Sequence, residues 1–265
     1  MFLVTRVGLM PVTVKGYLGS IKRITKVIGL NPDEHTITQY VNDLYLSDYS
    51  YHHKINTVLA IERYLEFLGR PIKFGRQRKP RTIIKDTLTE AEITKLIFIT
   101  KNRREKAIIS LMAYSGIRNQ EICNLKVKDF LLTQNAIRII QGKLAKDGIS
   151  EVTPECSMAI LEYLKEYPRS EDEYLFTTLV HRNKMGTGDI RKLIKVLALR
   201  AKIEKRVYPH LLRHSLTANM LLRGADIISI KNQLRHNWLE TTLHYANSIV
   251  FVEKNLYQKF APSYI

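Results

Sequence analysis

Along most of the chain, apolar residues recur at three- and four-residue intervals, the period of a helix with one buried face. Between residues 13 and 29, Val14, Leu18, Ile21, Ile24 and Ile28 fall on one such face, and Gly29 supplies a stop. Residues 36–46 predict a second helix. Residues 52–68 predict a third, with Ile55, Val58, Leu59, Ile61, Leu65 and Leu68 on its apolar side. Residues 1–70 therefore predict a small all-helical domain.

Further on, Thr89 and Glu92 have the spacing of a capping box, which starts a helix at Thr89. Residues 104–114 predict a helix burying Ala107, Ile108, Leu111 and Met112 and ending at Gly116. A short helix follows, with Ile122 and Leu125 as its apolar side. On it, Arg118 and Glu121 stand three apart and share a face. Two β-rich runs, 136–140 and 149–152, flank Asp147-Gly148, a hairpin dipeptide. Lys146 stands just before that turn, and Lys143 three residues earlier. Residues 154–164 and 189–201 predict helices, 174–176 a short buried strand, and 208–245 a helical segment that gathers His210, Arg213, His236 and Tyr245. The pattern as a whole predicts a mainly α chain with a small β-sheet.

Charge changes this picture most. Of 265 residues, 42 are Lys or Arg and 25 are Asp or Glu, a formal charge of +17. Such an imbalance implies a polyanionic partner, although sign alone does not separate DNA, RNA and an anionic membrane. Between residues 70 and 85 stand Arg70, Lys73, Arg76, Arg78, Lys79, Arg81 and Lys85, with no acidic residue, together with Pro71, Gly75 and Pro80. Residues 71–87 are expected to form a flexible basic linker able to track the phosphates of a duplex, leaving residues 88–265 as a second domain. Cys123 and Cys156 have neither metal-ligand nor disulfide-framework spacing and read as core residues. The apolar start is broken by Arg6 and Pro11, and no run reaches the roughly 20 apolar residues of a membrane span. A soluble, cytoplasmic protein without membrane partners is the expectation.

Four blocks share an order and spacing. They are Ser115-Gly116-Ile117-Arg118-Asn119-Gln120-Glu121, a hairpin lysine, His210-Leu211-Leu212-Arg213, and Leu234-Arg235-His236 running through Thr241-Thr242 to Tyr245. Their succession resembles the tyrosine recombinases, the site-specific recombinases of phage-integrase and Xer type. That resemblance implies an N-terminal helical DNA-clamping domain and a C-terminal catalytic domain. It also implies double-stranded DNA and further copies of the chain as partners, in a tetramer on two DNA sites. At one position the chain departs from the pattern: Arg235 stands where the family prefers Gly.

The resemblance implies the following chemistry. Displacement at a phosphodiester passes through a trigonal-bipyramidal arrangement with charge on the non-bridging oxygens, so positioning and charge stabilisation dominate. A guanidinium, planar and permanently charged, suits that task, which assigns Arg118 and Arg213 to the scissile phosphate. Tyr245 is the nucleophile. His210 is its proton acceptor or a phosphate donor, and His236 donates to a phosphate oxygen. A hairpin lysine protonates the leaving 5′-oxygen. Lys146, with Gly148 two and Pro154 eight residues on, is preferred over Lys143, which follows Gly142. Glu121 orients Arg118 or the histidines. A covalent 3′-phosphotyrosine conserves bond energy, so neither cofactor nor metal is expected, in keeping with a sequence that has no phosphate-cradling loop. The implied roles are integration or excision of a mobile element, or resolution of replicon multimers. A type IB topoisomerase would use the same chemistry, and a catalytically silent DNA-binding protein is the reading from another class.

Overall fold

The computed structural model describes residues 8, 11–78, 80, 86–140, 148–178 and 182–235. The chain divides into two compact units, Met1–Ile83 and Ile84–Ile265. Among the described residues no helix is long and apolar enough to cross a membrane.

Among the described residues, three helices make the first unit: α1 (Pro11–Ile28), α2 (Glu34–Leu46) and α3 (Tyr51–Phe67). Each boundary has a local cause. Gly29 takes a φ of 82° and its N–H closes the last turn on the Thr25 carbonyl at 3.0 Å. Asp33 accepts from the Thr36 N–H at 2.7 Å, and Ser50 from the His53 N–H at 3.3 Å, so both following helices begin on a side-chain cap. Ile24, Ile37, Val41, Leu44, Val58, Ile61 and Leu65 form the core. Leu18, counted on the apolar face by its spacing, is instead exposed.

The first part of the expected flexible linker, residues 72–77, is packed. Ile72 and Phe74 lie against the core of the first unit. What holds them is a buried carboxylate to which the periodicity assigned no role, Glu62 on α3. Its side chain is only 3% exposed, and it meets Arg76 at 2.7 Å and Lys73 at 3.8 Å. The Phe74 N–H donates to the same carboxylate at 3.0 Å, and the Tyr45 hydroxyl donates to the Gly75 carbonyl at 2.7 Å. Burial works to raise the Glu62 pKa, but the bonds from Arg76 and Phe74 outweigh it and hold the carboxyl below its usual range.

The second unit is built around α5 (Arg103–Ser115), which is capped by Asn102 and has Ile108, Ile109, Leu111 and Met112 all buried. A helix apolar on nearly every side belongs in the middle of a core. Around it pack α4 (Glu90–Phe98), α7 (Pro154–Glu166) and α9 (Pro209–Leu222). The short α6 (Asn119–Asn124) packs on α8 (Thr187–Arg200), and α10 (Ile227–Leu234) ends the described chain. The capping box forms as expected, with the Thr89 hydroxyl accepting from the Glu92 N–H and Glu92 from the Thr89 N–H.

A three-stranded antiparallel sheet lies in the order β1 (Phe130–Leu131), β2 (Ala136–Ile139), β3 (Gly148–Glu151). Ile139 pairs with Gly148, so residues 140–147 close the hairpin and Asp147-Gly148 is not a two-residue turn. Gly148 is the first paired residue of its strand. Residues 174–176 do not join this sheet: Tyr174 makes an isolated bridge to Lys126, while Leu175 and Phe176 are buried. Mostly helical with one small sheet, the chain has the class its periodicity predicts.

Arg76→Ala would leave the buried Glu62 carboxylate with the Phe74 N–H and, as its only cation, the more distant Lys73. Because Arg76 is itself partly exposed, the expected loss is about 1–3 kcal/mol rather than the full cost of breaking a buried pair. Urea denaturation of the full chain checks this, and a midpoint unchanged from wild type would contradict it.

Candidate active site

The site begins where α5 ends. The Ser115 hydroxyl donates to the Leu111 carbonyl at 2.6 Å and accepts from the Ile117 N–H at 3.1 Å, so it closes the helix and starts the turn. Gly116 follows with a φ of 60°, and a Cβ there would come within 2.6 Å of Leu234 Cδ2 and 3.0 Å of Leu216 Cδ2. Backbone sign and crowding together require glycine. Arg118 is next in the extended conformation as the N-cap of α6. Glu121 reaches back to it twice, accepting from the Arg118 N–H at 2.9 Å and from its Nη1 at 2.6 Å.

The expected helical segment over residues 208–245 is interrupted. Its first helix, α9, has Pro209 at the start and stops at Gly224, which has a φ of 85°. A second helix, α10, starts on Asp226, whose carboxylate accepts from the N–H groups of Ile228 and Ser229. His210 is exposed in the first turn of α9, whereas Arg213, one turn on, is 5% exposed. The Arg213 guanidinium ties two segments together, donating to the Gly116 carbonyl through Nη1 and to the Leu234 carbonyl through Nη2, at 2.5 Å for the latter. His214 is buried, with its ring 6.4 Å from that of His210.

Arg235 ends α10 in the left-handed region, with a φ of 54°. From there its Nη2 reaches Glu121 Oε2 at 2.8 Å, with side chains 12% and 6% exposed respectively. Glu121 is thus shared by Arg118 and Arg235. Burial alone would push its carboxyl up, yet the Arg235 charge, followed by the Arg118 N–H and guanidinium, leaves its pKa below the usual value. Burial pulls the Arg235 pKa down, with Glu121 opposing the shift and Arg118 reinforcing it. The sequence marked Arg235 as a departure and did not place it in the site. Its partner lies 114 residues away, beyond the reach of any local pattern.

Strand β3 is fastened to this cluster. The Ser150 hydroxyl donates to the Ser115 carbonyl at 2.9 Å and lies 3.3 Å from the Gln233 carbonyl. The Gln233 side chain accepts from the Glu151 N–H at 3.1 Å and donates to the Glu151 carbonyl at 2.7 Å. One end of the hairpin is therefore anchored to both the α5–α6 turn and α10. Ser150 and Gln233 perform this anchoring without having been singled out in the sequence. As ordinary polar residues in a strand and a helix, they carry no local signal of it.

The model of the phage integrase family matches residues 86–250. The chain belongs to the phage integrase family. Among curated members of similar sequence, the tyrosine recombinase XerA of Pyrococcus furiosus is 31% identical over 224 residues, covering 82% of this chain and 77% of that protein. A crystal structure of XerA recombinase aligns with a TM-score of 0.60 at 29% identity, covering 98% of this chain and 96% of the other. The fold is also that of the XerH site-specific recombinase bound to palindromic difH substrate, with a TM-score of 0.74 at 18% identity, covering 94% and 79% of the two chains.

Of the residues expected in the site of this tyrosine-type strand-exchange enzyme, the structure brings Arg118, Glu121 and Arg213 onto one turn, with His210 one helical turn from Arg213. Tyr245, His236, Lys143 and Lys146 lie outside the described residues, as do Lys79, Arg81 and Lys85. Arg70, Lys73, Arg76 and Arg78 belong to the first unit, where Arg70 meets Asn31 at 2.7 Å. Both cysteines are buried as expected, with burial raising the Cys123 thiol to about 11 and the Cys156 thiol to about 12.

The shared carboxylate makes a pH prediction. Its folded pKa lies below the ordinary value of 4.5, so the stability it contributes is complete above that value and is lost as pH falls through the lower folded one. Glu121→Gln should cost roughly 2–4 kcal/mol at neutral pH, because the largely buried Arg235 and the partly exposed Arg118 both lose their counter-ion. Between about pH 5 and pH 3 its melting temperature should then fall less steeply than that of the wild type. Thermal denaturation across a pH series checks both, and parallel curves would place the acid-sensitive carboxylates elsewhere.

Proposed function

We propose that this protein is a site-specific recombinase that cleaves and rejoins double-stranded DNA through a 3′-phosphotyrosine formed by Tyr245. The observation that carries the reading is the arrangement of Arg118 and Arg213 around one glycine turn. Gly116 accepts from Arg213 and stands two residues before Arg118, and Glu121 fixes Arg118 from the other side. Membership of the phage integrase family supports the chemistry. The likeness to a recombinase described as bound to its difH substrate supports duplex DNA as the partner.

In this reading Arg118 and Arg213 bind the non-bridging oxygens of the scissile phosphate, where charge grows in the transition state. A tyrosine hydroxyl, with an ordinary pKa of about 10, needs help to attack. His210, exposed in the first turn of α9, takes its proton or donates to the phosphate. His236 donates to a phosphate oxygen, and Lys146, or Lys143 in its place, protonates the departing 5′-oxygen. Residues 1–70 clamp the duplex and residues 88–265 carry the chemistry. Arg78, Lys79, Arg81 and Lys85 are the linker cations best suited to phosphates, since Arg76 is matched to Glu62. Strand exchange takes place in a tetramer on two DNA sites, serving integration and excision of a mobile element or resolution of replicon multimers.

Incubation with a nicked library of duplex fragments should trap wild-type protein on DNA covalently, and Tyr245→Phe should abolish the adduct. An adduct with the Phe variant would remove Tyr245 from its role. Arg118→Ala should lower adduct formation by about 10²–10³-fold with binding largely retained. Arg213→Ala should lower both adduct formation and melting temperature, because two backbone carbonyls lose their donor. Neutralising Arg78, Lys79 and Arg81 together should reduce the slope of log affinity against log salt by about 2–3, and an unchanged slope would take these cations off the DNA.

A further inference from the structure

Arg235 is placed at some strain and held by several contacts. It is one of four non-glycine residues with positive φ among the described residues, and it has one of the most buried charged side chains in the second unit. A side chain in the left-handed region is disfavoured, so its retention calls for a compensating interaction. That interaction is the bond to Glu121 Oε2, the same carboxylate that holds Arg118 through Oε1.

A second observation links Arg235 to the hairpin. A Cβ on Gly148 would come within 2.6 Å of Arg235 Cδ and 3.3 Å of Arg235 Cγ. Gly148 does not have positive φ, so its backbone has no need of glycine. The aliphatic stem of Arg235 fills the space where a side chain would stand. Gly148 is also the paired residue at which the loop carrying Lys143 and Lys146 rejoins the sheet. One arginine therefore touches both the carboxylate behind Arg118 and the base of the lysine loop.

We propose that Arg235 is a positioning residue of the active site, setting Arg118 through the carboxylate they share and bracing the base of the lysine-bearing hairpin by lying across Gly148. Its chemical consequence rests on the recombinase reading above, while the clasp itself does not. The charged groups acting on Glu121 are Arg235 and Arg118. From the neighbouring helix α8 and the segment before it, Asp189, Arg191 and Lys184 act on Cys123 instead. Removing Arg235 thus removes one of the two cations that hold Glu121 ionised.

The test compares wild type, Arg235→Gly, Arg235→Lys, Gly148→Ala and the double variant Arg235→Gly/Gly148→Ala. It reads melting temperature against pH and covalent adduct formation against pH on nicked duplex fragments. Arg235→Gly suits the backbone and should fold, but its melting temperature should begin to fall at higher pH on acidification. Its adduct formation at neutral pH should drop roughly tenfold to hundredfold, the scale expected for a reacting group displaced by about an ångström. The acid limb of its rate profile should move upward, with DNA affinity unchanged. Arg235→Lys should restore the limb by its charge without restoring the full rate. Gly148→Ala should reproduce the Arg235→Gly behaviour in the parent chain and add nothing to it in the double variant. An acid limb unmoved in Arg235→Gly, or a Gly148→Ala effect of equal size in both backgrounds, overturns the proposal. If wild-type protein forms no adduct at any pH, the recombinase reading fails, and the melting curves alone decide whether the clasp exists.

Discussion

One buried carboxylate sets the geometry on which the candidate site depends. Glu121 is sequestered from water and would be costly there as an isolated charge. It is tolerated because Arg118 and Arg235 approach from two different parts of the chain, and because the Arg118 backbone N–H completes the arrangement. The result is a guanidinium fixed at the start of a short helix, with one face tied and its side chain still partly open to solvent. A flexible surface pair would leave the guanidinium to sample many positions; one tied to a buried carboxylate holds it in place.

Around that carboxylate the second unit is fastened by bonds between remote segments. Arg213 links the Gly116 turn to the end of α10, Ser150 links β3 to Ser115, and Gln233 links α10 to β3. Each partner is a backbone group, so the fastening fixes the course of the chain and not merely side-chain positions. The apolar core beneath, centred on α5, supplies the rigid floor against which these bonds are set. Arg213 is consequently both a candidate phosphate ligand and a structural staple, and its two contributions need separate measurements.

The first unit uses the same device for a different end. Glu62, buried on α3, draws Arg76, Lys73 and the Phe74 N–H down onto the helices. A stretch that composition marks as a basic hinge is thereby packed across residues 72–77. In each unit a buried acid decides which nearby cations are committed internally.

By itself, the sequence determined what depends on short range. Helices such as α3 and α5, the capping box at Thr89, the stop at Gly116 and the i, i+3 pairing of Arg118 with Glu121 all arise from residues within a turn or two of one another. The ordered blocks also made the family legible, because order and spacing survive without coordinates. Tertiary structure alone decided the rest. Gly148 begins a strand paired with Ile139, since register is settled by packing against the opposite strand. Arg235 is tied to Glu121 and Arg76 to Glu62 across 114 and 14 residues of chain, separations that no local pattern spans. Only the folded chain, by excluding water around Glu121 and Glu62, made those two ion clusters the points on which each unit is held.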